Sequence, residues 1–356
     1  MTVCDHLVVG AGVHGLCTAF WLVQRRAGRI VVCDQFEPGH ARGSSHGETR
    51  ITRSSYDDPT FVAMAQEAHR DCWPALEAAL GRPLRLATPG VFFGPAEGPF
   101  ASYAGATLGS GAAVEALDVA TARAKFPLLR FADDDGVLLD HTAAVVLAAA
   151  MLRGLAAWLT EHGVDMRWNT PVSALAVAAG GVVATTPTGT VHARTATLAT
   201  GPWTGRLRAA AAGRLAVQPQ EIGYFAAANP AAATPGVFPV WARIGRTAED
   251  FHYGLPDVGR GLKLALHRTT GPAVDPDAVL PPVDEPALRA LAAARFAAPT
   301  QLRRSERCLY TMADGHALRV QRAADAPVVT IAACSGHAFK FGPLLGRRAA
   351  DLALAT

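Results

Sequence analysis

A glycine-rich turn near the start of the chain constrains the fold more than any other feature of the sequence. Gly10, Gly12 and Gly15 occupy the glycine positions of a Gly-x-Gly-x-x-Gly motif that follows the apolar run 7–9. Where such a motif joins a strand to a helix, the first glycine permits the tight turn and the second lets the backbone approach a pyrophosphate. The third lets helix and strand pack closely, and the helix N-terminus faces the anion. The motif therefore predicts a dinucleotide-binding βαβ unit.

An acidic residue stands at the position that completes this unit. The predicted helix from 13 to about 26 is followed by a second apolar run at 30–33 and then by Asp34, 19 residues after Gly15. A carboxylate at the end of the second strand can accept hydrogen bonds from ribose hydroxyls. It argues against NADP, whose extra phosphate it would repel, and leaves NAD and FAD as alternatives. His14, inside the motif, is predicted to face solvent.

The rest of the chain alternates between helical and strand-like patterns. Asp58 and Pro59 open a predicted helix that runs to about residue 80, because proline is well placed at a first helical position. A long amphipathic helix is predicted at 143–162. Shorter helices are predicted at 119–125, 285–295 and 343–355, and strands at 90–93, 172–178, 182–186, 195–200 and 328–333.

The order of these patterns predicts two interleaved domains. A chain of 356 residues has room for two domains, or three at most. We find no low-complexity linker and no internal repeat, so the domains are not expected to follow one another in series. Residues 1–83, 140–216 and 308–356 are predicted to form the dinucleotide-binding domain, and residues 84–139 and 217–307 a substrate domain.

Composition and charge exclude several classes of protein. Half of the residues are hydrophobic and 18% are charged, which excludes a disordered chain. The net charge of +3 is spread without the basic blocks of a nucleic-acid binder. The six cysteines form no Cys-x-x-Cys pair, so we expect neither a zinc site nor a disulfide framework. The apolar run 7–23 is interrupted by glycines, and no basic segment precedes it, so we expect a cytoplasmic protein without a membrane span.

Residues 43–47, Gly-Ser-Ser-His-Gly, formally fit the Gly-x-Ser-x-Gly motif of serine hydrolases. A nucleophile elbow needs a strand that runs straight into the turn and a helix that leaves it at once. Gly43 instead comes nine residues after Asp34, with proline and arginine in between. The sequence therefore does not predict a serine hydrolase.

Four further segments resemble one enzyme family. Residues 44–53 (SSHGETRITR) and 334–341 (CSGHAFKF) are similar to signature segments of the monomeric sarcosine oxidase family, and so are 261–267 (GLKLALH) and 308–311 (CLYT). The similarity runs nearly end to end. The family comprises FAD-dependent amine oxidases that act on N-methyl and cyclic secondary amino acids. The resemblance implies an α/β fold, with an FAD-binding Rossmann-type domain of the glutathione-reductase class and an interleaved antiparallel-sheet substrate domain.

The resemblance also implies a role for each matching residue. Cys308 matches the cysteine that links covalently to the flavin, with an inert buried thiol as the alternative. Arg53 and Lys340 match the two cations that hold the substrate carboxylate, for which arginine offers a planar fork and lysine a point charge. Lys263 matches the lysine that speeds the reaction with oxygen, because a fixed cation stabilises the negative charge that develops on O2.

Other matching residues complete the implied site. His267 lies four residues after Lys263 and would share its strand face. Tyr253 and Tyr310 match tyrosines that line the substrate cavity, so that with Lys263 and His267 they form the implied catalytic set. The implied cofactor-binding residues are Gly10, Gly12, Gly15, Asp34, Ser44, Arg50, Val172, Cys308, Gly336 and Lys340, and no metal is expected.

The implied reaction is a two-electron oxidation of the C–N bond of a secondary amino acid to an imine, with O2 reduced to hydrogen peroxide. The expected partners are the amino acid and O2, without nucleic acid or membrane, and the protein is expected to be a monomer. A dehydrogenase of the same fold that uses another electron acceptor, and a flavin-binding scaffold without catalysis, stay open as alternatives. Cys334 stands where phenylalanine is more usual and Ala338 where glycine is, so the side chain of the substrate stays open too.

Overall fold

The computed structural model describes residues 1–207, 215–247, 250–298, 300–332 and 334–355. It contains two eight-stranded sheets and one three-stranded sheet. None of the helices in these ranges is long and apolar enough to cross a membrane. The mixture of parallel and antiparallel sheets with surrounding helices confirms the predicted α/β class.

The strands and helices are numbered in chain order. The strands are β1 (Thr2–Val9), β2 (Ile30–Cys33), β3 (Thr49–Thr52), β4 (Arg85–Ala87), β5 (Gly90–Pro95), β6 (Val114–Leu117), β7 (Asp135–Asp140), β8 (Ala144–Leu147), β9 (Asp165–Arg167), β10 (Ala174–Ala178), β11 (Gly181–Thr186), β12 (Gly189–Leu198), β13 (Leu215–Ala227), β14 (Val240–Arg243), β15 (His252–Leu255), β16 (Leu262–Leu266), β17 (Thr300–Ala313), β18 (Arg319–Arg322) and β19 (Val328–Ala332). The α-helices are α1 (Val13–Gln24), α2 (Pro59–Glu67), α3 (Trp73–Leu80), α4 (Pro99–Leu108), α5 (Val119–Lys125), α6 (Ala148–Glu161), α7 (Thr204–Leu207), α8 (Glu285–Arg295) and α9 (Gly342–Leu354).

The first large sheet holds the predicted βαβ unit. Strand β1 pairs in parallel with β2 and β12, which pair in parallel with β9 and β19 respectively. Strands β10, β11 and β18 extend the sheet by antiparallel pairing. Strand β2 is buried along its whole length, as a central parallel strand requires. Helices α1 and α9 pack so closely that a Cβ at Gly346 would lie 2.5 Å from the Cβ of Cys17.

The second large sheet has the order β17-β13-β16-β15-β14-β5-β7-β6. All its neighbours are antiparallel except β14 and β5. Strand β17 runs from 300 to 313 and so continues this sheet past residue 308, where the sequence predicts a domain boundary. The third sheet, β3-β8-β4, is antiparallel.

The predicted helix at 143–162 is wrong at its N-terminal end. Residues Ala144–Leu147 form strand β8, and the helix begins at Ala148. Val145 and Val146 are fully buried between β3 and β4, where β-branched side chains pack well. The predicted helix from Pro59 to residue 80 is present with a π-helical turn, Ala68–Cys72, in its middle. Helices 119–125 and 285–295 have the predicted bounds.

Candidate active site

A cavity of about 880 Å³ is lined from both large sheets. It extends from the glycine-rich turn to residues of β15, β16 and β17. Its volume falls in the range of cavities that hold a small molecule or cofactor. The residues predicted from sequence that line it are Gly10, Gly12, Asp34, Ser44, Arg50, Arg53, Val172, Tyr253, Lys263, His267, Cys308, Tyr310, Gly336 and Lys340.

In the glycine-rich turn the backbone lies so close to neighbouring backbone segments that there is no space for a Cβ, as the motif predicts. Gly10 has φ +100°, and a Cβ there would lie 2.4 Å from the carbonyl oxygen of Ala199. Gly15 does not line the cavity, but a Cβ there would lie 1.7 Å from the carbonyl oxygen of Gly10. At Gly12 the space that a Cβ would fill faces Ser45 Oγ, which accepts a hydrogen bond from Val13 N–H over 3.1 Å. The backbone at the start of α1 therefore opens onto the cavity.

Asp34 joins the end of β2 to this turn. Its buried carboxylate accepts hydrogen bonds from the N–H of Ala11, over 2.6 Å, and of Phe36, over 2.9 Å. The carboxylate is thereby fixed at the cavity wall, within reach of a ribose placed there. An open backbone at a helix N-terminus and an acid beside it are the groups that hold a pyrophosphate and a ribose, so the residues present fit a dinucleotide.

His14 does not face solvent, contrary to the prediction. It lines the cavity, and its Nε2 is buried with no hydrogen-bond partner among the described residues. Burial lowers the pKa of His14 to about 4, so the ring is neutral at pH 7. A prediction from the helix pattern alone misplaced this side chain because the cavity wall is built by distant segments such as the one that contains Ala338.

We expect Gly15→Ala to destabilise the protein by about 1–3 kcal/mol and to weaken flavin retention, because the new methyl group would overlap the Gly10 carbonyl. Gly105→Ala in α4 is the matched control, since a Cβ there meets no atom within 4 Å. It should be neutral or stabilise by up to about 1 kcal/mol. Denaturant unfolding and the ratio of flavin to protein absorbance measure both effects. If Gly15→Ala left the free energy of unfolding and the flavin content unchanged, the close packing of Gly15 against the Gly10 carbonyl would be contradicted.

The far part of the cavity is one face of the second large sheet. Strand register places Lys263 opposite Tyr224, and Cys308 opposite Gln220. Because side chains alternate along a strand, Lys263 and His267 point to one side, and Cys308 and Tyr310 do the same on their own strand. Side chains that are far apart in sequence thus meet on a single surface.

Lys263 is a buried amine with a cation beside it. Its side chain is 3% exposed, and its Nζ donates a hydrogen bond to the carbonyl oxygen of Thr49 over 3.2 Å. Burial, followed by the positive charge of Arg50, lowers the pKa of Lys263 to about 7. Lys263 therefore changes charge near neutral pH, unlike an exposed lysine.

Arg50 holds the loop that precedes β3 against this face. Its guanidinium donates hydrogen bonds to the carbonyl oxygens of Ser44, His46 and Thr49 over 2.6 to 2.9 Å. The buried thiol of Cys308 lies 3.7 Å from the same Ser44 oxygen. Burial raises the pKa of Cys308, so this residue is a thiol at neutral pH.

Next to Cys308, on the same face of the second large sheet, three uncharged polar side chains lie in a row, each within hydrogen-bond distance of the next. The Tyr310 hydroxyl donates to the Tyr253 hydroxyl over 3.4 Å, and His267 Nδ1 lies 3.3 Å from Tyr310. Burial lowers the pKa of His267 to about 3 and raises the pKa of both tyrosines. Gly336 (φ +74°) allows its loop to pass beside them, since a Cβ there would lie 2.5 Å from the Tyr310 ring.

Two cations share one aromatic ring in the cavity. The Arg53 guanidinium lies 4.0 Å from the Tyr56 ring centroid, and Lys340 Nζ lies 5.4 Å from it. Arg53 also donates to the Ser55 carbonyl and the Tyr103 hydroxyl, and Lys340 donates to the His337 carbonyl over 3.1 Å. Within the described ranges neither cation forms an ion pair with an acidic side chain.

The charge of this pair is balanced only in part, because the charge of Asp140 favours the charged form of Arg53 but Asp140 forms no ion pair with either cation. Burial, followed by the charges of Arg53 and Arg50, lowers the pKa of Lys340. An anion bound beside Lys340 and Arg53 would favour the charged form of the lysine. The arrangement therefore suits a carboxylate, which both cations can contact at once.

Nearly the whole chain matches a known family. The sequence pattern of the DAO family, FAD dependent oxidoreductase, matches residues 5–352. The chain belongs to this family. Membership identifies an FAD-dependent oxidoreductase and decides between NAD and FAD in favour of FAD.

Relatives of this DAO-family chain are similar over nearly their full lengths. Monomeric sarcosine oxidase from Arthrobacter sp. (strain TE1826) is 26% identical and covers 98% of this chain and 92% of its own. N-methyl-L-tryptophan oxidase from Salmonella agona (strain SL483) is 26% identical over 98% of this chain and 94% of its own. The solved structure of NikD, an unusual amino acid oxidase essential for nikkomycin biosynthesis, is 24% identical, with a TM-score of 0.87 over 100% of this chain and 95% of its own. The predicted fold and family are thus confirmed.

Several residues of this oxidoreductase's cavity were missed from sequence. Tyr56 lies three residues after Arg53, and both cations, Arg53 and Lys340, lie over its ring. Tyr224, whose ring centroid lies 5.9 Å from Lys263 Nζ, donates a hydrogen bond to Glu306. Glu306 could have been found from strand alternation, since it lies two residues before Cys308. The role of Tyr224 depends on pairing between distant strands, which no local signal reveals.

Proposed function

We propose that the protein is an FAD-dependent oxidase of a secondary amino acid, either N-methylated or cyclic. Bound FAD supplies the two-electron acceptor for the C–N bond, and the products are an imine and hydrogen peroxide. The observation that carries the proposal is the cation pair of Arg53 and Lys340 in the same cavity as the dinucleotide-binding turn. The names of the relatives, which refer to sarcosine and N-methyl-L-tryptophan, support this substrate class.

The cation pair binds the carboxylate of the substrate. Arg53 presents a planar fork and Lys340 a point charge, and together they fix both the position and the orientation of the acid. The surrounding rings of Tyr56 and Phe92 limit hydration of Arg53, which strengthens its interaction with an anion. The substrate is thereby oriented before reaction, which is a large part of catalysis.

The amine of the substrate binds as the free base. His267, Tyr253 and Tyr310 are uncharged at neutral pH and offer hydrogen bonds without a negative charge. A protonated amine would lose its hydration there without gaining an anion. The neutral form is also the one that can release the electrons of its C–N bond.

A peroxide-formation assay with sarcosine, other N-methyl amino acids, proline and pipecolate tests this proposal. Each amino acid is compared with the corresponding amine, which has the same structure but no carboxylate. We expect kcat/KM for at least one acid to exceed that of its amine by about 10²-fold, because only the acid contacts both cations. Equal values would contradict the substrate class. Substrate-dependent dye reduction without peroxide would instead indicate a dehydrogenase, and no reaction by the FAD-loaded protein would indicate a scaffold.

The flavin is attached covalently through Cys308. We expect the wild-type protein to keep its yellow colour through acid precipitation and Cys308→Ala to release it. Attachment would join the Cys308 sulfur to a carbon of the flavin with loss of two electrons and two protons, which O2 would accept. It needs the thiolate, so it should be faster at alkaline pH, because burial raises the pKa of Cys308. Cys334→Ala is the matched control, since Cys334 lines the same cavity and should leave the flavin attached. Release of flavin from the wild-type protein would disprove the attachment.

Oxygen is the acceptor in this proposal because Lys263 places a cation inside the cavity. The proposed enzyme is a cytoplasmic monomer, and the name of the monomeric sarcosine oxidase relative supports the monomeric state. The interleaved division of the chain at residues 84, 140, 217 and 308 is proposed with it. The last of these positions lies inside strand β17, which stays in the second large sheet up to Ala313, so the sheet itself ends five residues later. Limited proteolysis of the loaded protein would test the division.

A further inference from the structure

Lysine is rare in this chain, and two of its three lysines line the cavity. Lys125, Lys263 and Lys340 are the only lysines among 33 lysines and arginines. Arginine stays charged in proteins, whereas a buried lysine can lose its proton. The neighbours of Lys263 therefore decide whether it carries a charge.

Given the proposed role of Lys263 in the reaction with oxygen, we propose that Glu306 is a positioning residue that keeps the Lys263 ammonium charged. Glu306 thereby sets the pH above which the enzyme loses its fast reaction with oxygen. It does so through its charge and through Tyr224, which lies between the two side chains.

The pairing of β13 with β16 and with β17 places Glu306 close to Lys263. Tyr224 of β13 lies opposite Lys263 of β16, and Lys263 Nζ is 5.9 Å from the Tyr224 ring centroid. The Tyr224 hydroxyl donates to Glu306 Oε1 over 2.6 Å, and Arg304 donates to the other carboxylate oxygen. The Glu306 side chain is 14% exposed, so its charge is only weakly screened by solvent.

The same carboxylate also faces the loop that Lys263 contacts. A Cβ at Gly47 would lie 3.4 Å from Glu306 Oε1 and 3.3 Å from Arg50 Nη1. Lys263 donates to the carbonyl oxygen of Thr49, which lies two residues further along the chain, where the loop enters β3. Glu306 and Lys263 are thus held around one short segment.

The charged groups around Lys263 make Glu306 the residue that decides whether Lys263 keeps its proton. The charged and titratable groups that face Lys263 are Arg50 of β3, His46 of the preceding loop, Tyr224 of β13, and Arg304, Glu306 and Cys308 of β17. Arg50 and Arg304 disfavour the ammonium, whereas Glu306 favours it. His46 is neutral at pH 7, since burial lowers its pKa to about 4, and Cys308 is a thiol. Removing the Glu306 charge therefore leaves two cations acting against Lys263.

The first test measures the lysine directly. The FAD-loaded protein labelled with ¹³C at lysine Cε gives three signals, which Lys263→Met and Lys340→Met assign. We expect the Lys263 signal to titrate near pH 7 in the wild type, and its midpoint to fall by about one pH unit or more in Glu306→Gln. Glu221→Gln is the matched control, because Glu221 pairs with Arg307 on the opposite face of the neighbouring strands. An unchanged midpoint in Glu306→Gln would overturn the proposal.

The second test follows the pH profile of the reaction of the reduced enzyme with oxygen. In Glu306→Gln the loss of rate should occur at a pH lower by the same shift, while the rate of reduction by substrate keeps its profile. Tyr224→Phe keeps the carboxylate but removes its hydrogen bond, so it should shift both readouts in the same direction by less. If the profiles of Glu306→Gln and wild type coincide, the inference fails. If Lys263→Met leaves the oxygen reaction unchanged, the proposed role of Lys263 in that reaction fails instead, and the lysine titration still decides the effect of Glu306 on Lys263.

Discussion

Replacing Lys263 with methionine should slow the reaction of the reduced enzyme with oxygen by roughly 10²–10³-fold. Methionine has a similar length and fills the buried site, so packing is kept, while the charge and the hydrogen bond to the Thr49 carbonyl are lost. Reduction by substrate should change little, because the carboxylate and amine of the substrate bind elsewhere in the cavity. Stopped-flow measurement of the two half-reactions separates these effects below pH 7, where Lys263 is charged.

Lys125→Met provides the control for this prediction. Lys125 is exposed at the end of α5, so its replacement should leave both half-reactions at the wild-type rate. Equal slowing of both half-reactions by Lys263→Met would show that the lysine supports the site as a whole. The assignment of Lys263 to oxygen would then be wrong.

Lys340→Met should raise KM for the amino acid by about 10²-fold or more, because the substrate carboxylate loses one of its two cations. The effect should fall mainly on binding, so kcat should change less than KM. The hydrogen bond from Lys340 to the His337 carbonyl is also lost, and circular dichroism would detect a larger disturbance of the fold. Steady-state kinetics with the best substrate of the panel measures the change.

The amine that lacks a carboxylate is the control for Lys340→Met. It cannot contact the cation pair, so its kcat/KM should be nearly the same in the variant and the wild type. The ratio of the values for acid and amine should therefore collapse. A parallel loss for both compounds would contradict carboxylate binding by Lys340 and would point to a general disturbance of the cavity.

Local sequence was sufficient to predict the nucleotide-binding end of the molecule. The glycine-rich turn, α1 and Asp34 follow one another within 25 residues, and each has a geometric reason that does not depend on distant contacts. Strand β2 and α8 were predicted for the same reason, since the apolar run and the helix-opening residues lie within the element itself.

The rest of the site depends on strand register and could not be predicted from local patterns. Tyr224 and Glu306 are 82 residues apart, and only the pairing of β13 with β17 brings them together. Strand β8 was predicted as a helix because its partners, β3 and β4, lie far away in sequence. Resemblance to a family identified Arg53, Lys340 and Lys263, but it did not reveal Tyr56, the ring that the two cations share.

The most direct test of the proposed oxidase is anaerobic mixing of the FAD-loaded protein with sarcosine, N-methyl amino acids, proline and pipecolate, while the visible flavin band is recorded. At least one of these acids should bleach the band, and air should restore it with release of peroxide. Bleaching that air does not reverse would contradict an oxidase and favour a dehydrogenase. A flavin that stays oxidised with every secondary amino acid would contradict the proposed substrate class.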